Sequence, residues 1–323
     1  MNVSVVIPTY QRAAAVRRVL DSLSDQTIPA TEYEVVVVVD GSTDGTADML
    51  AGLRPPFKLR VAAQPNRGRA AACNVGIGLA AGDVVVLLDD DMVVTRGILE
   101  AHARHHGHGP CGVVGPVELL VPPDSPPVVS YMAAYWRQRM ERLSSPGYRL
   151  RFNDAYTGNF SAPRALLAEL GFDEEFTRYG HEDYELALRL VATGAPLEFE
   201  PAALAYHAYA KDLAALARDE LERGRTAVLL ARKHPHAAQD LQLARSRSGS
   251  RTWRATRALL IRLALARPEV AVLLLRGLSR MTKRPLREVY YHRITDYFFW
   301  LGARQAVAEE AGHHAGEKGP LVA

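Results

Sequence analysis

Three consecutive carboxylates, Asp89, Asp90 and Asp91, directly follow the apolar run Val-Val-Val-Leu-Leu at residues 84–88. Three carboxylates at the mouth of a buried strand repel one another, so this arrangement favours a bound divalent cation. Mg²⁺ and Mn²⁺ prefer oxygen ligands and often bridge to substrate phosphates. The triplet therefore predicts a metal site for a phosphate-bearing ligand, with a solvated acidic turn as the alternative.

A second acidic turn, DGSTDG at residues 40–45, follows a run of five valines at residues 35–39. Ser42 or Asp44 is suited to cap the helix that follows. Asp40 lies at the carboxyl end of the strand, where a carboxylate can accept a hydrogen bond from a nucleobase N–H. The chain has neither a G-x-G-x-x-G fingerprint nor a G-K-[ST] loop, which disfavours dinucleotide oxidoreductases and P-loop enzymes.

Alternating strands and helices must position these turns. Short apolar runs at residues 3–7, 34–39, 59–63 and 84–88 predict strands, and the segments 13–23, 46–53 and 69–81 have helical spacing. This alternation predicts an α/β fold with a doubly wound, mostly parallel sheet that is covered on both faces. Ligands of such sheets bind outside the carboxyl ends of the strands, so the candidate segments are residues 8–12, 40–44, 65–68 and 89–91.

Further short motifs continue this pattern along the chain. They are VVIPTYQR at 5–12, VDGSTD at 39–44, NRG at 66–68 with Ala71 and NVG at 74–76, GD at 82–83 leading to LDDD at 88–91, TGN at 157–159, GFDE at 171–174 and GHED at 180–183. In this order and spacing they resemble the nucleotide-sugar glycosyltransferases of family 2, which have the A-type glycosyltransferase fold. The resemblance covers residues 1–210 and extends only loosely beyond residue 211.

The resemblance implies roles in binding the nucleotide and the donor sugar. Asp40 would read a uracil-like base edge, and Gly158 and Asn159 would face the donor sugar. The other implied nucleotide or donor contacts are Pro8, Thr9, Tyr10, Arg12, Asn66, Gly68, Asp89 and Asp90.

It also implies a metal centre and a catalytic base. Asp89 and Asp91 would form the D-x-D pair that holds a metal on the diphosphate, and His207 would be a further ligand. Asp183 corresponds to the base of inverting members, with Glu182 beside it. This chemistry is reasonable, because a cation neutralises the charge on a departing diphosphate and a carboxylate can accept the acceptor's proton.

The sequence thus predicts a metal-dependent glycosyltransferase that uses Mg²⁺ or Mn²⁺ and inverts its donor by direct displacement. A UDP-sugar is the first expectation, GDP- and dTDP-sugars stay open, and the acceptor is unknown. A sugar nucleotidyltransferase is one alternative, disfavoured because residues 8–12 read PTYQR rather than a glycine-rich phosphate loop. A non-catalytic scaffold is another, disfavoured because Asp89, Asp91, Glu182 and Asp183 are all present.

Charge divides the chain into unlike parts. Residues 1–210 hold 18 Lys and Arg against 25 Asp and Glu, whereas residues 211–310 hold 20 against 10. We expect a catalytic domain at 1–210, a basic helical extension at 211–311 and a flexible tail at 312–323. The basic helices predict packing or a homodimer, with peripheral contact to an anionic membrane as an open alternative. Nucleic-acid binding is disfavoured because no aromatic residues are interleaved with the charge.

Composition sets the outer limits. Hydrophobic residues make up 48% of the 323 and charged residues 23%, and only two cysteines occur, which excludes global disorder and a disulfide scaffold. No basic segment precedes the apolar start and no uncharged apolar run approaches membrane-spanning length, which predicts a cytoplasmic protein.

Three smaller predictions concern the middle of the chain. The alternation at residues 148–152 predicts a strand. The spacing of the neighbouring histidines suits a helix surface better than a metal site; these are His102, His105, His106 and His108. Tyr131, Tyr135 and Trp136 share a predicted helix, where core packing is favoured over a platform for an acceptor sugar.

Overall fold

The computed structural model describes residues 2–107, 109–245, 249–267, 269–281 and 285–316. The chain divides into two compact units. The first contains Met1–Pro123, Met132–Thr177 and Glu182–Tyr209; the second contains Asp124–Tyr131, Arg178–His181 and Ala210–Ala323. The two short segments that join the second unit from within residues 1–210 have no counterpart in the sequence prediction.

The described strands lie in the first unit and form two sheets. They are β1 Val3–Thr9, β2 Tyr33–Asp40, β3 Lys58–Gln64, β4 Val84–Leu88, β5 Met92–Val94, β6 Gly112–Val114, β7 Val117–Leu119, β8 Asn159–Pro163, β9 Leu197–Phe199 and β10 Ala205–His207. The main sheet has the order β3-β2-β1-β4-β8-β6-β9, and only β8 runs antiparallel to its neighbours. The prediction of an α/β fold with a mostly parallel sheet is confirmed.

The helices follow the strands in alternation and then continue alone. They are α1 Ala13–Leu23, α2 Thr46–Ala51, α3 Arg69–Leu79, α4 Ile98–His105, α5 Pro127–Leu143, α6 Arg164–Leu170, α7 Glu182–Ala192, α8 Leu213–Lys233, α9 Arg251–Ala266, α10 Glu269–Ser279 and α11 Glu288–Gly316. The predicted elements of the first 95 residues are confirmed, with ends that differ by at most two residues.

The burial of each strand agrees with its position in the main sheet. β1, β2 and β4 are buried along their whole length, as expected for valine-rich strands between two helical layers. β3 is different, since it forms the edge of the sheet and leaves Val61 44% exposed. The expectation that every strand is covered on both faces is therefore wrong for β3.

The strand predicted at residues 148–152 is also wrong. The chain there leads into a 3-10 turn at Phe152–Asp154. The Asp154 carboxylate accepts hydrogen bonds from the Tyr148 hydroxyl (2.8 Å) and the Arg151 backbone N–H (3.0 Å), and pairs with Arg142 (2.9 Å). A buried carboxylate that gathers local donors favours a turn over an extended strand.

A small second sheet has the order β5-β10-β7. β5 begins directly after the aspartate triplet, and β10 pairs antiparallel to it with His207 opposite Met92. This pairing brings a histidine from late in the chain to the end of β4.

The second unit is helical. Its buried core joins α8, α9, α10 and α11 through Ala217, Ile261, Ala264, Ala271, Tyr297, Phe298 and Leu301. Glycines allow α8 and α11 to approach closely, because a Cβ at Gly224 would lie 1.9 Å from the Phe299 carbonyl oxygen. Among the described helices, none is long and apolar enough to cross a membrane.

Two predicted features of this region need correction or lie outside the described residues. The predicted tail at 312–323 begins inside α11, which continues to Gly316, and residues 317–323 lie outside the described part. The sequence also predicts a loop around residues 245–251 that interrupts the basic helices. Residues 246–248 of this loop lie outside the described part, and 3-10 turns at Pro235–Asp240 and Gln242–Arg245 precede them.

Two glycines on α3 provide a matched test of packing. A Cβ at Gly76 would lie 2.3 Å from the buried Val6 Cγ1, whereas a Cβ at Gly78 would meet nothing within 4 Å. We expect Gly76→Ala to lower the free energy of unfolding by about 1–3 kcal/mol through overpacking. Gly78→Ala should raise it by about 0.5–1 kcal/mol through helix propensity. Urea denaturation of both variants checks this, and a Gly76→Ala protein as stable as Gly78→Ala would contradict the packing.

Candidate functional site

The loops after β1 and β4 are tied together by the aspartate triplet. The Thr9 hydroxyl donates to Asp90 Oδ2 (2.7 Å), and Arg12 Nη1 lies 3.3 Å from Asp90 Oδ1 and also contacts Asp91 Oδ2. Asp90 is 7% exposed, and burial raises its pKa to about 7 although Arg12 acts in the opposite direction. Asp90 therefore faces the β1 loop and holds Arg12 next to Asp91.

Asp91 meets His207 because of the antiparallel pairing of β5 and β10. The Ala208 N–H donates to the Asp91 carbonyl (2.9 Å), and His207 Nε2 lies 3.1 Å from Asp91 Oδ2. Burial raises the pKa of Asp91, but His207 and Arg12 outweigh it and hold that pKa well below its usual range. Asp91 is therefore ionised in the folded protein, and the Nε2 atom of His207 lies beside its carboxylate.

Asp91 and His207 are of the residue types that ligate a divalent cation, although Asp91 Oδ2 here pairs with both His207 and Arg12. Two ligand bonds of about 2.1 Å at a right angle place their donor atoms about 3 Å apart, close to the observed separation. Within the described residues no group of three or more His, Cys, Asp and Glu side chains is arranged to hold a metal. The remaining ligands of such an ion would therefore have to come from water or from a bound phosphate.

Asp89 points to a different partner. Its Oδ1 lies 2.8 Å from Arg69 Nη2, and its backbone N–H donates to the Gly158 carbonyl (3.1 Å). A Cβ at Gly158 would lie 2.4 Å from Asp89 Oδ2, so the glycine allows this carboxylate to lie against β8. The predicted pair Asp89 and Asp91 is therefore split between two cationic partners.

Arg69, at the first turn of α3, was missed by the sequence analysis. Its guanidinium also donates to the Thr157 hydroxyl (2.8 Å) and carbonyl (3.1 Å), and it lies 3.6 Å from Glu182 Oε1. It thereby connects the D-x-D segment to the start of α7. Its position directly after Gly68, at the carboxyl edge of the sheet, was the available signal.

The two acids that begin α7 differ in exposure. Glu182 is 8% exposed, and its Oε2 makes no hydrogen bond to any described residue. Burial and the neighbouring Asp183 raise the pKa of Glu182, while Arg69 opposes them. Asp183 is only partly buried, and its Oδ1 accepts the Tyr184 N–H (2.8 Å) at the helix N-terminus, where a negative charge is favoured.

Asp40 organises the loop after β3. Its Oδ1 accepts hydrogen bonds from Gln64 (2.8 Å) and the Arg67 N–H (2.9 Å), and its Oδ2 accepts from the Gly68 N–H (2.9 Å). The carboxylate is 4% exposed, so it is inside this loop rather than on its surface. That Asp40 reads a base stays a prediction.

The other predicted nucleotide contacts line the same edge of the sheet. Asn66 is exposed beside Gly41, where a Cβ would lie 2.6 Å from the Asn66 backbone nitrogen. Tyr10 is 49% exposed just after β1, and Pro8 lies within that strand. These residues therefore lie where the sequence placed them, while the bonds between the β1 and β2 loops were not expected.

Gln11 makes those bonds. Its backbone N–H donates to the Ser42 hydroxyl (2.9 Å) and its side chain donates to the Thr43 hydroxyl (2.9 Å). Gln11 has a φ of 56°, which is uncommon outside glycine, so this turn is held by its hydrogen bonds. Asp44 accepts from the Ala13 N–H (3.0 Å) and the Thr46 N–H (3.2 Å), and so binds the N–H of the first residue of α1 and of α2.

The expectation that the Asn159 side chain faces the donor sugar needs correction. Asn159 is fully buried; its amide donates to the Pro116 (3.0 Å) and Ala203 (2.8 Å) carbonyls, and its Oδ1 lies 2.9 Å from His102 Nε2. All its polar atoms thus bond to protein groups, and the side chain does not face the site. Only its neighbour Gly158 is next to the aspartates.

The histidines in and directly after α4 were expected on the helix surface, and the structure differs from that expectation. His102 and His106 are buried rather than on the helix surface, and both contact Ser161 Oγ, at 2.9 and 2.8 Å. His105 lies between Glu198 and Glu200, at 2.5 and 2.6 Å. His108 lies outside the described residues. These side chains form a polar network beneath β8.

The aromatic side chains of the predicted helix, α5, differ in how they pack. Trp136 packs edge-on against Tyr156 at 5.1 Å, and Tyr131 stacks on Tyr291 at 4.6 Å. Tyr135 is 44% exposed. The packing interpretation therefore fits Tyr131 and Trp136.

Comparisons with known proteins indicate the family and the fold of the chain. A family model described as glycosyl transferase family 2 matches residues 4–158. Validoxylamine A glucosyltransferase from Streptomyces hygroscopicus subsp. jinggangensis (strain 5008) is 33% identical in an alignment of 221 positions that covers 60% of this chain and 52% of that protein. The chain spans about half the length of the curated relatives it matches.

Two solved structures share the fold. Mannosyltransferase PcManGT from Pyrobaculum calidifontis, in complex with GDP-Man and Mn²⁺, aligns with a TM-score of 0.59 at 23% identity, covering 95% of this chain and 87% of that one. S. aureus TarS 1-349 in complex with UDP-GlcNAc aligns with a TM-score of 0.54 at 18% identity, covering 97% and 92%. At these identities the likeness shows the fold alone, and it is the A-type fold that the motifs implied.

Removing Arg69 tests its link between Asp89 and Glu182. Arg69→Ala leaves two carboxylates and Thr157 without their cationic partner, and we expect the free energy of unfolding to fall by about 1–3 kcal/mol. Glu182→Gln should reduce this loss, because one uncompensated carboxylate is removed with it. Urea denaturation of the single and double variants measures the coupling. Additive effects of the two substitutions would contradict a direct interaction.

The buried His102 predicts a dependence of stability on pH. Burial lowers its pKa to about 4, against 6.5 in an unfolded chain, so below pH 6.5 the unfolded state binds a proton that the native state rejects. This contribution is therefore present above pH 6.5 and lost as the pH falls toward 4. At pH 5 the loss is about 2 kcal/mol relative to pH 7.5. In the His102→Gln variant, the free energy of unfolding should therefore decrease by about 2 kcal/mol less between pH 7.5 and pH 5 than in the wild-type protein. An equal decrease in both proteins would contradict the lowered pKa of His102.

Proposed function

Since the chain belongs to glycosyl transferase family 2 through residues 4–158, we propose that it transfers a sugar from a nucleoside diphosphate sugar to an acceptor hydroxyl. The observation that carries the proposal is the meeting of Asp91, His207 and Arg12 at the carboxyl edge of the sheet. Ligands of open α/β sheets bind at this edge. The same edge carries the loops after β1, β2 and β3, on which the nucleotide contacts were predicted.

The nucleotide would lie along the loops after β1, β2 and β3. Tyr10 and Asn66 are exposed there and can contact a base or a ribose, while Asp40 keeps the loop at residues 66–68 in place. A UDP-sugar is our first candidate donor. It is supported by the TarS fold relative in complex with UDP-GlcNAc, whereas the PcManGT complex with GDP-Man keeps GDP-sugars open.

Asp91 and His207 would hold a Mg²⁺ or Mn²⁺ ion, in keeping with the Mn²⁺ of the PcManGT complex. When bound, the ion supplies positive charge beside the departing diphosphate. Arg12, now paired with Asp91, adds a second positive charge at the same place. Asp90 keeps this arginine in position through its own contact.

Asp183 would be the general base. It is the more exposed of the two acids at the start of α7, and the helix N-terminus favours its ionised form. Its carboxylate would take the proton of the acceptor hydroxyl as that oxygen attacks the anomeric carbon and the bond to the diphosphate breaks. Attack opposite the leaving group inverts the anomeric centre.

Glu182 and Arg69 would support this base. Burial and Asp183 raise the pKa of Glu182, whereas the Arg69 guanidinium opposes that shift and stabilises the Glu182 carboxylate. Arg69 lies 3.6 Å from Glu182 and 2.8 Å from Asp89, so it balances charge between the base and the diphosphate end of the site. Both residues would position the reacting groups without contacting the acceptor.

Donor hydrolysis across UDP-, GDP- and dTDP-sugars tests the function without knowledge of the acceptor. We expect release of a nucleoside diphosphate from one donor class with Mn²⁺ or Mg²⁺, and its loss with a chelator. Asp183→Asn should lower the rate at least about a hundredfold, because the base is lost, while nucleotide affinity stays within a few-fold. Glu169→Gln, at an exposed acid of α6, is the matched control and should leave the rate unchanged.

Two results would contradict the proposal. One is the absence of both nucleotide binding and donor turnover with every donor and either metal. The other is full activity of Asp183→Asn. That result would show that Asp183 is not the general base, and the proposed transferase activity would then depend on the donor-hydrolysis results alone. Release of pyrophosphate from a nucleoside triphosphate and a sugar phosphate would instead support a nucleotidyltransferase.

A further inference from the structure

Helices α9 and α10 of the second unit expose many large apolar side chains. Of the seventeen such side chains that are exposed among the described residues, six lie between residues 259 and 274, with exposed fractions of 38–61%. They are Leu259, Leu263, Leu265, Val272, Leu273 and Leu274. Single exposed leucines are ordinary, but a concentration of this kind marks an interaction surface.

These side chains are not needed by the core of their own unit. The inward faces of α9 and α10 supply Ile261, Ala264 and Ala271 to the buried cluster with Phe298 and Leu301. Each helix therefore buries some of its apolar side chains and leaves others exposed to solvent. We call the exposed surface of residues 259–267 and 269–276 the apolar-basic face.

Arginines share this face with the leucines. Arg262 lies three residues after Leu259 and next to Leu263, and Arg276 lies three residues after Leu273, which places them on the same sides of their helices. Both arginines are exposed, and neither makes an ion pair with another described residue. Arg257, in contrast, is buried and paired with Asp296 at 2.7 Å.

The surrounding sequence adds to the positive charge. Residues 245–287 contain twelve Lys and Arg and a single acid, Glu269. A partner of this face must therefore accept apolar side chains and supply negative charge at the same time.

We propose that the apolar-basic face binds the surface of an anionic lipid bilayer. The leucines would enter the boundary between headgroups and acyl chains, and the arginines would lie at the level of the lipid phosphates, with their aliphatic stems along the apolar layer. The helices would lie in the interface rather than span it, in keeping with their length and charge. This inference goes beyond the proposed function and does not depend on it.

A second copy of this chain fits the face less well. In a two-fold dimer the same patch lies on both sides of the interface, so the arginines of the two copies would be brought together, with Glu269 as the only acid of each patch among the described residues. A nucleic acid would satisfy the arginines but would leave the leucines in contact with phosphates and water. An anionic bilayer satisfies both groups at once.

Flotation of the full chain with lipid vesicles tests the proposal. We expect the protein to float with vesicles of phosphatidylcholine that contain about one third phosphatidylglycerol, to bind vesicles of phosphatidylcholine alone at least tenfold more weakly, and to dissociate as salt is raised. The Arg262→Gln, Arg276→Gln double variant should lose about fivefold in affinity per arginine. The Leu263→Gln, Leu273→Gln double variant should lose at least tenfold.

Exposed valines of the first unit provide the control. Val61→Gln and Val191→Gln replace side chains that are 44% and 43% exposed on β3 and α7, and they should leave vesicle binding unchanged. Circular dichroism and nucleotide binding of all variants show whether each is folded.

Three results would overturn the proposal: equal binding to neutral and anionic vesicles, equal loss of binding in the valine variants, or no binding to any vesicle. A dimer in sedimentation that the leucine variants dissociate, without vesicle binding, would assign the face to a second copy of the chain.

Discussion

Mutual repulsion of three adjacent carboxylates is the constraint around which the site is built. Asp89, Asp90 and Asp91 follow one another at the end of a fully buried strand, where burial of Asp90 and partial burial of the other two limit the screening of their charges by water. Each is stabilised by a different set of partners. Arg69 pairs with Asp89, Thr9 binds Asp90, and His207 binds Asp91, while Arg12 contacts the last two.

The topology of the first unit supplies those partners from distant parts of the chain. Parallel pairing of β1 with β4 brings Thr9 and Arg12 to the triplet, and antiparallel pairing of β10 with β5 brings His207. Gly158, directly before β8, has no side chain and therefore lets the Asp89 carboxylate lie against it. The two antiparallel contacts therefore complete a site that a purely parallel sheet would leave open.

The same charges explain why the two parts of the sequence look so different. Several acidic residues of the first part, among them Asp89, Asp90 and Asp91, lie where a cation and a diphosphate are proposed to bind, and local arginines pair with them. Residues 245–287 of the helical extension contain a single acid, and several of their basic residues lie beside exposed leucines. Under the two proposals made above, negative and positive charge would serve different ligands, a nucleotide–metal complex in one part and lipid phosphates in the other.

Sequence by itself determined the alternation of strands and helices in the first 95 residues, because apolar periodicity is local and valine-rich strands must be buried. It also placed Asp91, Asp183 and His207 at the ends of elements, where side chains can reach a ligand. Which side chains contact one another was decided only by the tertiary structure. The contact of Arg69 with Asp89 and Glu182, and the burial of Asn159 on His102, join residues that are 20 to 113 positions apart. Periodicity carries no information about such contacts, since each depends on which strands lie side by side and on the geometry of individual donors and acceptors.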